Sequence, residues 1–535
     1  MSREKTGRGR IAAGAGGRLR RRAPLRARTR AAEAERKTTP QQTRPNERPE
    51  HRPSERARAW TRLQARTVVT VRRAARPVHR TLRRAVLTTV RCLLAVRRPP
   101  TPGERLRVMI LLQHAHGTGG TIRTVLNLGG HLAAEHDVEI VSVLRRRPEP
   151  FFPVSPRLRI RFADDRTAPP RGRSARLLAR ALSRLPSVIT PVDDASFRGM
   201  TLWTDLRLLR VLCGRAPDVL VGTRPSLNLL IADLAPRGVV TIGQDHMNLA
   251  AYRPGLRREI ERAYRRLTAL SVLTERSRAD YGAALAGAPT RIVRIPNALP
   301  RLPGGPSPRR DRVLLAAGRL TRQKGFDLLI RAYEPLAAEH PDWTLRIFGS
   351  GVQRDRLRRM IDERGLAGRV VLAARTGDLA GEMERASVYV LPSRFEGMPM
   401  VIIEAMGKGL PVVAFDCPTG PGEMIEHGGD GLLVPAGDVA ALTGALRTVM
   451  ADSALRERLG RRALASSRAY DLDRVGPRWS RLLRELCPAP PAGTAPGTAP
   501  GPAPEAVPAR LRRTVGMLAL GALALGAVGF LASGS

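Results

Sequence analysis

The chain has 535 residues, of which 92 are lysine or arginine and 47 are aspartate or glutamate, so its formal net charge is +45. That length suits roughly three units with large buried cores, and an apolar share of 42% excludes a wholly disordered chain. The four cysteines lie far apart without a C-x-x-C pair, which excludes a disulfide scaffold and a zinc ribbon and fits a reducing cytoplasm.

The first hundred residues are more basic than the rest of the chain. They carry 29 basic and 6 acidic side chains, a net charge of +23. Residues 1–56 mix arginine, alanine, glycine, proline and glutamate with almost no large apolar residue. Because burial there cannot offset the entropy lost on ordering, we predict a disordered basic arm.

Residues 57–103 have the pattern of a basic amphipathic helical segment. Apolar side chains recur every fourth position, at Leu82, Val86, Val90 and Leu94, and arginines fill the gaps, at Arg80, Arg83, Arg84 and Arg91. This pattern is typical of a helix on an anionic membrane surface, and a solvated linker is the alternative. Nucleic-acid binding is less favoured, because Trp60 is the only Phe, Tyr or Trp residue there.

The stretch 104–300 alternates short apolar runs with helical patterns. The runs read as buried parallel strands at 106–112, 137–144, 218–222, 239–243 and 270–274. Helices are predicted between several of them, including Thr121–Glu135 and Gly255–Arg266. Apolar strands with helical crossovers indicate a parallel sheet covered on both faces.

A second series of apolar runs fills residues 301–487. Its strands are predicted at 312–318, 344–349, 369–374, 388–392 and 411–415. The turn-rich segment 296–311 separates the two series. The sequence therefore predicts an α/β fold of two Rossmann-like, doubly wound domains facing a cleft, with ligands at the carboxyl ends of the strands.

The C-terminal end has a composition of its own. Residues 488–509 form a Pro/Ala/Gly linker, and residues 510–535 contain eighteen uncharged, mostly apolar residues, 515–532, behind three arginines. Such a run spans about 27 Å as a helix, just enough for a thin bilayer core. We predict a protein on the cytoplasmic side of the membrane, peripheral or C-terminally anchored; an apolar tail without a role is the alternative. No N-terminal signal peptide is visible.

The sharpest chemical signal is SRFEGMPMVIIEAMGKG at 393–409. Pro399 favours a helix start, so the backbone around Gly397 to Val401 would present free N–H groups and the positive end of the helix dipole to a pyrophosphate. Glu396 and Glu404 would flank this site, as carboxylates for the hydroxyl groups at either end of a nucleotide-sugar. The structural alternative for Glu404 is a simple ion pair with an arginine.

Two further loops follow predicted strands. In AAGRLTRQKGFDLLIRAY (316–333), Arg319 and Lys324 could meet a diphosphate, and Lys324 is one of only four lysines in the chain. In GTGGTIRTVLNL (117–128), Gly119 and Gly120 let a ligand approach the backbone before a helix begins. Surface charge and an ordinary turn are the alternatives for these two loops.

These segments together resemble the family 4 retaining glycosyltransferases with the GT-B fold. The matching text is GTGG, IPNAL, GRLTRQKGFDLLIRA, FGSG and LPSRFEGMPMVIIEAM with its E-x7-E pair. The resemblance covers about residues 105–485 and is most specific in the second half.

The resemblance implies a role for each candidate residue. Arg319 and Lys324 would bind the donor diphosphate, Glu404 the ribose and Glu396 the transferred sugar. Gly119 and Gly120 would lie beside the donor phosphate and the acceptor, and His246 would face the reaction centre. Backbone groups of the helix start would bind the sugar or its phosphates, over Gly397, Met398, Pro399, Met400 and Val401.

The implied reaction transfers a sugar from a nucleoside-diphosphate-sugar to an acceptor hydroxyl with retention, in cell-envelope glycan, glycolipid or polysaccharide synthesis. No cofactor and no metal ion is expected, and Asp471 with Asp473 is interpreted as a turn. Expected partners are the donor, a glycan or lipid-linked acceptor and an anionic membrane surface. A basic nucleic-acid-binding protein and a catalytically idle membrane scaffold stay open as alternatives.

Overall fold

The structure is a computed structural model that describes residues 76–96, 99–100 and 102–488. The predicted basic arm, the linker and the apolar tail lie outside these residues, apart from residue 488. In the described part, two parallel sheets with helices on their faces form two domains. The predicted pair of doubly wound α/β domains is therefore confirmed.

The first domain is built on a seven-stranded parallel sheet with the order β3-β2-β1-β4-β5-β6-β7. The central strands are buried along nearly their whole length, as their unbroken apolar sequences require. The strands are β1 Arg107–Leu112, β2 Asp137–Arg145, β3 Arg159–Asp165, β4 Val219–Gly222, β5 Val240–Asp245, β6 Ala269–Val272 and β7 Arg291–Arg294.

The second domain repeats the arrangement with six parallel strands in the order β10-β9-β8-β11-β12-β13. In both sheets the order of the strands reverses beside the first strand, β1 or β8. Doubly wound sheets bind ligands at this switch point. The strands are β8 Val313–Ala317, β9 Thr344–Phe348, β10 Val370–Ala373, β11 Val388–Leu391, β12 Val412–Asp416 and β13 Gly431–Pro435.

Helices connect the strands and cover both sheets. In the first domain, α1 covers residues 76–95 and is followed by α2 Gly120–Leu132, α3 Arg173–Leu182, α4 Leu202–Leu212, α5 Pro225–Leu234, α6 Pro254–Ala263 and α7 Glu275–Ala284. The second domain has α8 Phe326–Glu339, α9 Arg354–Glu363, α10 Leu379–Glu384, α11 Met400–Gly407, α12 Pro421–Met424, α13 Val439–Ala451 and α14 Ser453–Ser467, and the chain continues with α15 Leu472–Leu486.

Helix α1 packs against the first domain with the apolar face that the sequence suggested for a membrane. Val86, Val90 and Leu94 are buried in the core beneath α5 and α6. Arg83 is buried too, and its guanidinium donates to Glu259 Oε2 at 2.8 Å and to the carbonyl of Ile189 at 2.9 Å. The apolar face of α1 thus packs against the first domain. Burial of this face is favourable because it removes apolar surface from water.

The segment between the domains is fastened to the second one. The buried ammonium group of Lys408 donates to the carbonyls of Pro303 and Gly305, at 2.6 and 2.7 Å, and to Glu384. The N–H of Leu299 donates to the carbonyl of Tyr470 at 2.7 Å. Beyond this point α15 returns to the first domain and buries Trp479 and Leu483 against its sheet.

No helix among the described residues is long and apolar enough to cross a membrane. The predicted C-terminal anchor lies outside these residues, so the expectation of an anchor stays a prediction.

Candidate active site

The starts of two helices face each other across the cleft, one from each domain. Helix α2 begins at Gly120 after β1, and α11 begins at Met400 after β11. A side chain on Gly120 would come within 3.0 Å of Met400 Cγ, and Thr124 Oγ1 lies 3.5 Å from Met400 Sδ. The GTGG loop and the segment around Glu396 and Glu404, far apart in sequence, thus meet at the carboxyl ends of both sheets.

Lys324 and Glu396 are in direct contact. The Lys324 Nζ atom donates to Glu396 Oε1 at 2.5 Å, and the two side chains are only 14% and 7% exposed. A cation and an anion removed from water in this way stabilise each other only while both stay in place. The resemblance assigned them to neighbouring parts of one donor, the diphosphate and the sugar, and the contact agrees with that assignment.

The loop that carries Lys324 is fixed by a glycine. Gly325 has a φ of +64°, in the left-handed region that other residues adopt reluctantly. A side chain there would also overlap the carbonyl oxygen of Pro392 at the end of β11. The close approach places the Lys324 loop directly against the strand end that leads to Glu396.

Arg319 lies on the exposed side of the same loop. Its Nη2 atom is 3.4 Å from Gln323 Oε1, and Gln323 Nε2 donates to the carbonyl of Phe395 at 3.0 Å. The neighbouring Arg394 holds Asp327 through two hydrogen bonds of 2.8 Å. Although burial raises the pKa of Asp327, these hydrogen bonds keep it below its ordinary value. The Asp327–Arg394 pair, which the sequence did not indicate, fixes the backbone next to Glu396.

Glu404 forms an ion pair across the cleft. Its Oε1 atom accepts a hydrogen bond at 2.8 Å from Nη1 of Arg123, on α2 of the first domain. Burial raises the pKa of Glu404, and the Arg123 guanidinium opposes that rise. The structural alternative for Glu404, pairing with an arginine, is therefore what the structure shows, but its partner comes from the opposite domain.

Tyr389 lies beneath both glutamates. Its hydroxyl group is bonded to the backbone of Ala317, at 3.1 Å from both the N–H and the carbonyl. Burial raises the pKa of Tyr389, and the negative charges of Glu404 and Glu396 raise it further. The charges of both carboxylates thus act on the same buried hydroxyl group.

The loop of His246 touches the second domain at Gly397. Any side chain on Gly397 would overlap the carbonyl oxygen of His246. Burial lowers the pKa of His246 to about 4, so its ring is neutral at neutral pH. The Nε2 atom of His246 is buried and has no hydrogen-bond partner within the described chain. The ring therefore has a free position for a polar ligand atom.

A buried carboxylate directly before His246 anchors that loop. Asp245 accepts hydrogen bonds from the hydroxyl groups of Tyr252, at Oδ1, and Tyr281, at Oδ2 and 2.5 Å. The N–H of Met247 donates to Oδ1 at 3.2 Å. Burial raises the pKa of Asp245, which these hydrogen bonds oppose. Both carboxylate oxygens are occupied, so Asp245 positions the backbone around His246.

Two aromatic rings close the cleft from the side. Phe151 and Phe152 pack edge to face at 5.0 Å in the loop after β2. The guanidinium of Arg375, from the second domain, lies 5.6 Å from the ring of Phe151 and is hydrogen-bonded to Thr118. Arg123 lies 5.4 Å from the ring of Phe152. Neither the aromatic pair nor the two arginines were predicted from the sequence.

Two acidic residues, Glu423 and Asp471, have structural roles. Glu423 accepts from the N–H groups of Glu275 and Arg276, at 2.6 and 2.9 Å, and so caps α7 of the opposite domain. Asp471 precedes α15 and bridges to Leu299. No group of three or more acidic, histidine or cysteine residues in the described ranges could hold a metal ion, and metal independence of the reaction stays a prediction.

The structure brings most of the predicted residues into one crevice. Lys324, Glu396 and Glu404 surround the start of α11, and Gly120 and His246 reach it from the first domain. Arg319 is linked to them only through Gln323 and Phe395. The helix begins at Met400, one position after the Pro399 that was predicted as its first residue. These positions agree with a shared site, and the roles of the residues stay predictions.

This architecture matches a solved structure over the whole length of that structure. The S. aureus protein TarM, crystallised with fondaparinux, α-GlcNAc-glycerol and UDP, superimposes with a TM-score of 0.57 and 15% identity. The match covers 72% of this chain and all of TarM. The fold is GT-B. The predicted fold class is therefore confirmed, and at this identity the likeness shows the fold alone.

The second GT-B domain also matches a known family by sequence. Residues 303–465 fit the model of the glycosyl transferases group 1. This range holds Arg319, Lys324, Glu396 and Glu404, so the predicted donor residues lie within the matched domain. The predicted resemblance of this domain to glycosyltransferases is confirmed. The assignment to family 4 and the retaining mechanism stay predictions.

Two named relatives extend the match over both GT-B domains. An exopolysaccharide phosphotransferase of Streptomyces coelicolor is 37% identical over 391 residues, which are 71% of this chain and 41% of the relative. This chain thus spans less than half of that protein. The amylovoran biosynthesis glycosyltransferase AmsD of Erwinia amylovora is 24% identical over 387 residues, 70% of this chain and 99% of AmsD.

Proposed function

We propose that this protein is a glycosyltransferase that moves a sugar from a nucleoside-diphosphate-sugar to an acceptor hydroxyl in the synthesis of a cell-envelope polysaccharide. The observation that carries the proposal is the crevice at the start of α11, where Lys324 contacts Glu396 at 2.5 Å. The group 1 match over residues 303–465 and the named role of AmsD in amylovoran biosynthesis support it.

The donor lies with its diphosphate between the Lys324 loop and the helix start. There the ammonium group of Lys324 exchanges part of its contact with Glu396 for phosphate oxygens, since phosphates prefer helix starts and cationic loops. Glu396 then accepts hydrogen bonds from hydroxyl groups of the sugar. Arg319, on the exposed rim, adds charge at the diphosphate. TarM was crystallised with UDP, and a uridine nucleotide is the first donor to test.

The ribose binds at Glu404. Arg123 uses only Oε1 of this carboxylate, so Oε2 can accept a ribose hydroxyl while the ion pair persists. The charge of Arg123 favours the ionised form of the buried Glu404, because it opposes the rise in pKa that burial causes. Donor binding and contact between the domains are thus coupled through one carboxylate.

Transfer proceeds with retention, as in the family 4 enzymes that the sequence resembles. As the bond between the anomeric carbon and the diphosphate breaks, the acceptor oxygen bonds to that carbon on the same face. The cationic loop and the helix start stabilise the leaving group. Asp245 is no nucleophile in this scheme, since tyrosine hydroxyl groups occupy both of its oxygens. The leaving phosphate accepts the acceptor's proton, and neutral His246 donates a hydrogen bond to the reacting sugars.

The acceptor is a glycan or a lipid-linked glycan at the cytoplasmic surface of the membrane. The excess of basic residues in the first hundred positions supports a location beside anionic lipid. No cofactor takes part, and the nucleotide-sugar is a substrate.

The nucleotide released by the reaction tests the proposal. The name of the Streptomyces relative raises a second chemistry, in which a sugar phosphate moves and a nucleoside monophosphate is left. Purified protein would be incubated with UDP-, GDP- and ADP-sugars and the products separated by anion-exchange chromatography. We expect a nucleoside diphosphate; a nucleoside monophosphate would overturn the proposal in favour of phosphotransfer.

The same assay on variants locates the site. Glu404→Gln is expected to weaken donor binding at least about 10-fold, because a hydrogen bond to a buried charged group is lost. The control is Glu457→Gln, which changes an exposed glutamate of the same domain and should leave binding unchanged. If Glu404→Gln binds the donor normally while its thermal unfolding is unaltered, the donor site lies elsewhere.

A further inference from the structure

Helix α3 stands out on the surface of the first domain. It covers Arg173–Leu182, and Ala179 is its only buried residue. Leu177 and Leu178 are 66% and 39% exposed. Large apolar side chains at this level of exposure lose the stabilisation that burial gives, so this pair is suited to a partner that the described chain does not supply.

Every charged residue in the segment around α3 is an arginine. Residues 166–184 contain six arginines and no aspartate or glutamate. Arg173, Arg176 and Arg180 share one face of the helix with Leu177, because residues three and four positions apart are neighbours on a helix. Among the described residues, none of these three arginines has an ion-pair partner. One face of the helix thus presents three arginines without ion-pair partners, and Leu177 lies among them.

A groove runs along this face of the helix. It has a volume of about 700 Å³ and is lined by Arg173, Arg176, Leu177 and Arg180 on one side and by Trp203 of α4 on the other. We call it the α3 groove.

Two carboxylates also line the α3 groove, and both are engaged elsewhere. Asp164 accepts from Arg166 Nε at 2.9 Å and from Thr204 Oγ1 at 2.7 Å. Asp165 accepts from Arg145 Nη1 at 3.0 Å. The groove therefore combines unpaired positive charge with apolar walls.

We propose that the α3 groove is the surface by which the protein docks onto a bilayer that carries anionic lipid headgroups. The arginines match the headgroup charge, and Leu177 with Leu178 enters the boundary between headgroups and acyl chains, as apolar residues of interfacial helices do. A soluble polyanion, including nucleic acid, would use the arginines and leave the two leucines in water. The lipid surface is therefore the partner that uses every exposed feature.

This inference rests on the membrane location proposed above, but it assigns the contact with the membrane to α3 instead of α1. The basic segment singled out in the sequence buries Val86, Val90 and Leu94 of α1 inside the first domain. Those apolar side chains cannot enter a bilayer while α1 stays docked. Helix α3 also combines arginine with leucine, and its Leu177 and Leu178 are exposed.

Hydrogen exchange on the full chain tests the contact without relying on overall vesicle binding. The exchange of α3 amides would be measured by mass spectrometry with phosphatidylcholine vesicles and with vesicles that also contain phosphatidylglycerol. We expect exchange in 173–182 to slow only with the anionic vesicles. Unchanged exchange in α3, whether or not the chain sediments with the vesicles, would overturn the proposal. Protection of α3 by duplex DNA but not by vesicles would also overturn it.

Charge reversal supplies the matched comparison. Arg173→Glu, Arg176→Glu and Arg180→Glu in one variant should abolish the protection of α3. They should also weaken vesicle binding through this surface about 100-fold, since each basic residue near an anionic surface contributes about a factor of five. The control reverses three exposed arginines of α9, Arg356, Arg358 and Arg359, with the same change in net charge. It should keep the protection; an equal loss in both variants would reduce the effect to net charge and overturn the proposal.

Donor turnover in solution separates this inference from the proposed function. The α3 variant should release nucleoside diphosphate at the normal rate without vesicles, because none of the residues assigned to the donor lines the groove. Normal turnover with unchanged α3 protection would leave the transferase proposal intact and remove only the docking surface.

Discussion

The two sides of the cleft obtain their chemical groups in different ways. In the second domain, Lys324, Glu396 and Glu404 lie on a loop and a helix start, and short local contacts fix them. Gly325 presses the Lys324 loop against Pro392, and Asp327 holds Arg394 two residues before Glu396. Two short motifs, the Lys324 loop and the segment from Glu396 to Glu404, therefore determine the positions of these side chains.

In the first domain, the geometry depends on residues that are distant in sequence. His246 is held by Asp245, whose partners Tyr252 and Tyr281 come from the loop before α6 and from α7. Arg123 acquires its role only by reaching Glu404 in the opposite domain. We therefore expect a change in the motifs of the second domain to affect different steps from a change in the distant contacts of the first domain. Variants can separate the two.

The largest effect is expected where the two sides touch. Gly397→Ala keeps the backbone N–H that faces the donor, but its methyl group would overlap the His246 carbonyl oxygen. The second domain should therefore still bind the donor, while the closed contact with the first domain is lost. We expect the transfer rate to fall at least about 100-fold, the cost of a displacement of about 1 Å between reacting groups. Donor affinity should fall by no more than the loss of the Arg123–Glu404 pair costs, about 5- to 10-fold. Single-turnover kinetics and isothermal titration calorimetry measure the two quantities.

The control for this variant is Gly444→Ala. Gly444 lies within α13, and a methyl group there would meet nothing within 4 Å. The change should leave transfer unaffected and stabilise the helix by up to about 1 kcal/mol. A Gly397→Ala enzyme that transfers sugar at the normal rate would show that the His246 loop does not approach Gly397 during catalysis.

A smaller effect is expected from the network behind His246. Asp245→Asn keeps the shape but removes the charge that both tyrosine hydroxyl groups contact, so the His246 loop should shift. We expect the transfer rate to fall about 10- to 100-fold, because orientation of a reacting group is lost, and donor affinity to stay normal. Separate measurements of kcat and donor Kd report this split, and a thermal melt shows how much stability is lost.

Asp205→Asn is the matched control for Asp245→Asn. Asp205 is another buried aspartate of the first domain, and burial raises its pKa to about 6. It accepts from Ser187 Oγ and from the N–H of Val188, both at 2.6 Å, near the docking site of α1. We expect it to lower the melting temperature without changing transfer. If both variants lose transfer equally, Asp245 serves the stability of the domain rather than the position of His246.

The sequence predicted the fold well where strands are buried on both faces. Strands β8 and β11 lie within one residue of their predicted bounds, because each is an unbroken apolar run. Three other strands were not predicted: β3 alternates arginine with apolar residues at a sheet edge, β7 has arginine at both ends, and β13 runs from glycine to proline. Edge strands need less burial, so their sequences carry less of the apolar signal.

The candidate site was predictable only on the motif side. Lys324 was singled out partly because the chain has only four lysines. Lys408 is another of the four, yet it is buried and donates hydrogen bonds to the carbonyls of Pro303 and Gly305. Rarity alone therefore does not identify a binding residue. Arg123 stood inside the GTGG-containing segment but had no visible partner, since an arginine in a chain with 92 basic residues acquires meaning only when the fold supplies Glu404.

The smallest expected effect concerns the one ion pair that joins the two sides at the proposed ribose site. Burial raises the pKa of Glu404 and Arg123 opposes it, so Arg123→Ala should let that pKa rise further. Because donor binding requires the ionised carboxylate, affinity falls as the pH drops through this pKa, and the variant should lose affinity at a higher pH than the natural protein does. At neutral pH we expect a loss of about 5- to 10-fold, typical of a partly buried pair.

Two companions of Arg123→Ala decide between charge and closure. Arg123→Lys keeps a positive charge and should return the pH dependence of donor Kd most of the way to that of the natural protein. Arg375→Ala removes another arginine that crosses the cleft, to Thr118 and Phe151, but does not touch Glu404. It should slow transfer without moving the pH dependence of binding. If Arg375→Ala moves it as far as Arg123→Ala does, the protonation of Glu404 follows closure of the cleft, and the charge of Arg123 has no separate role.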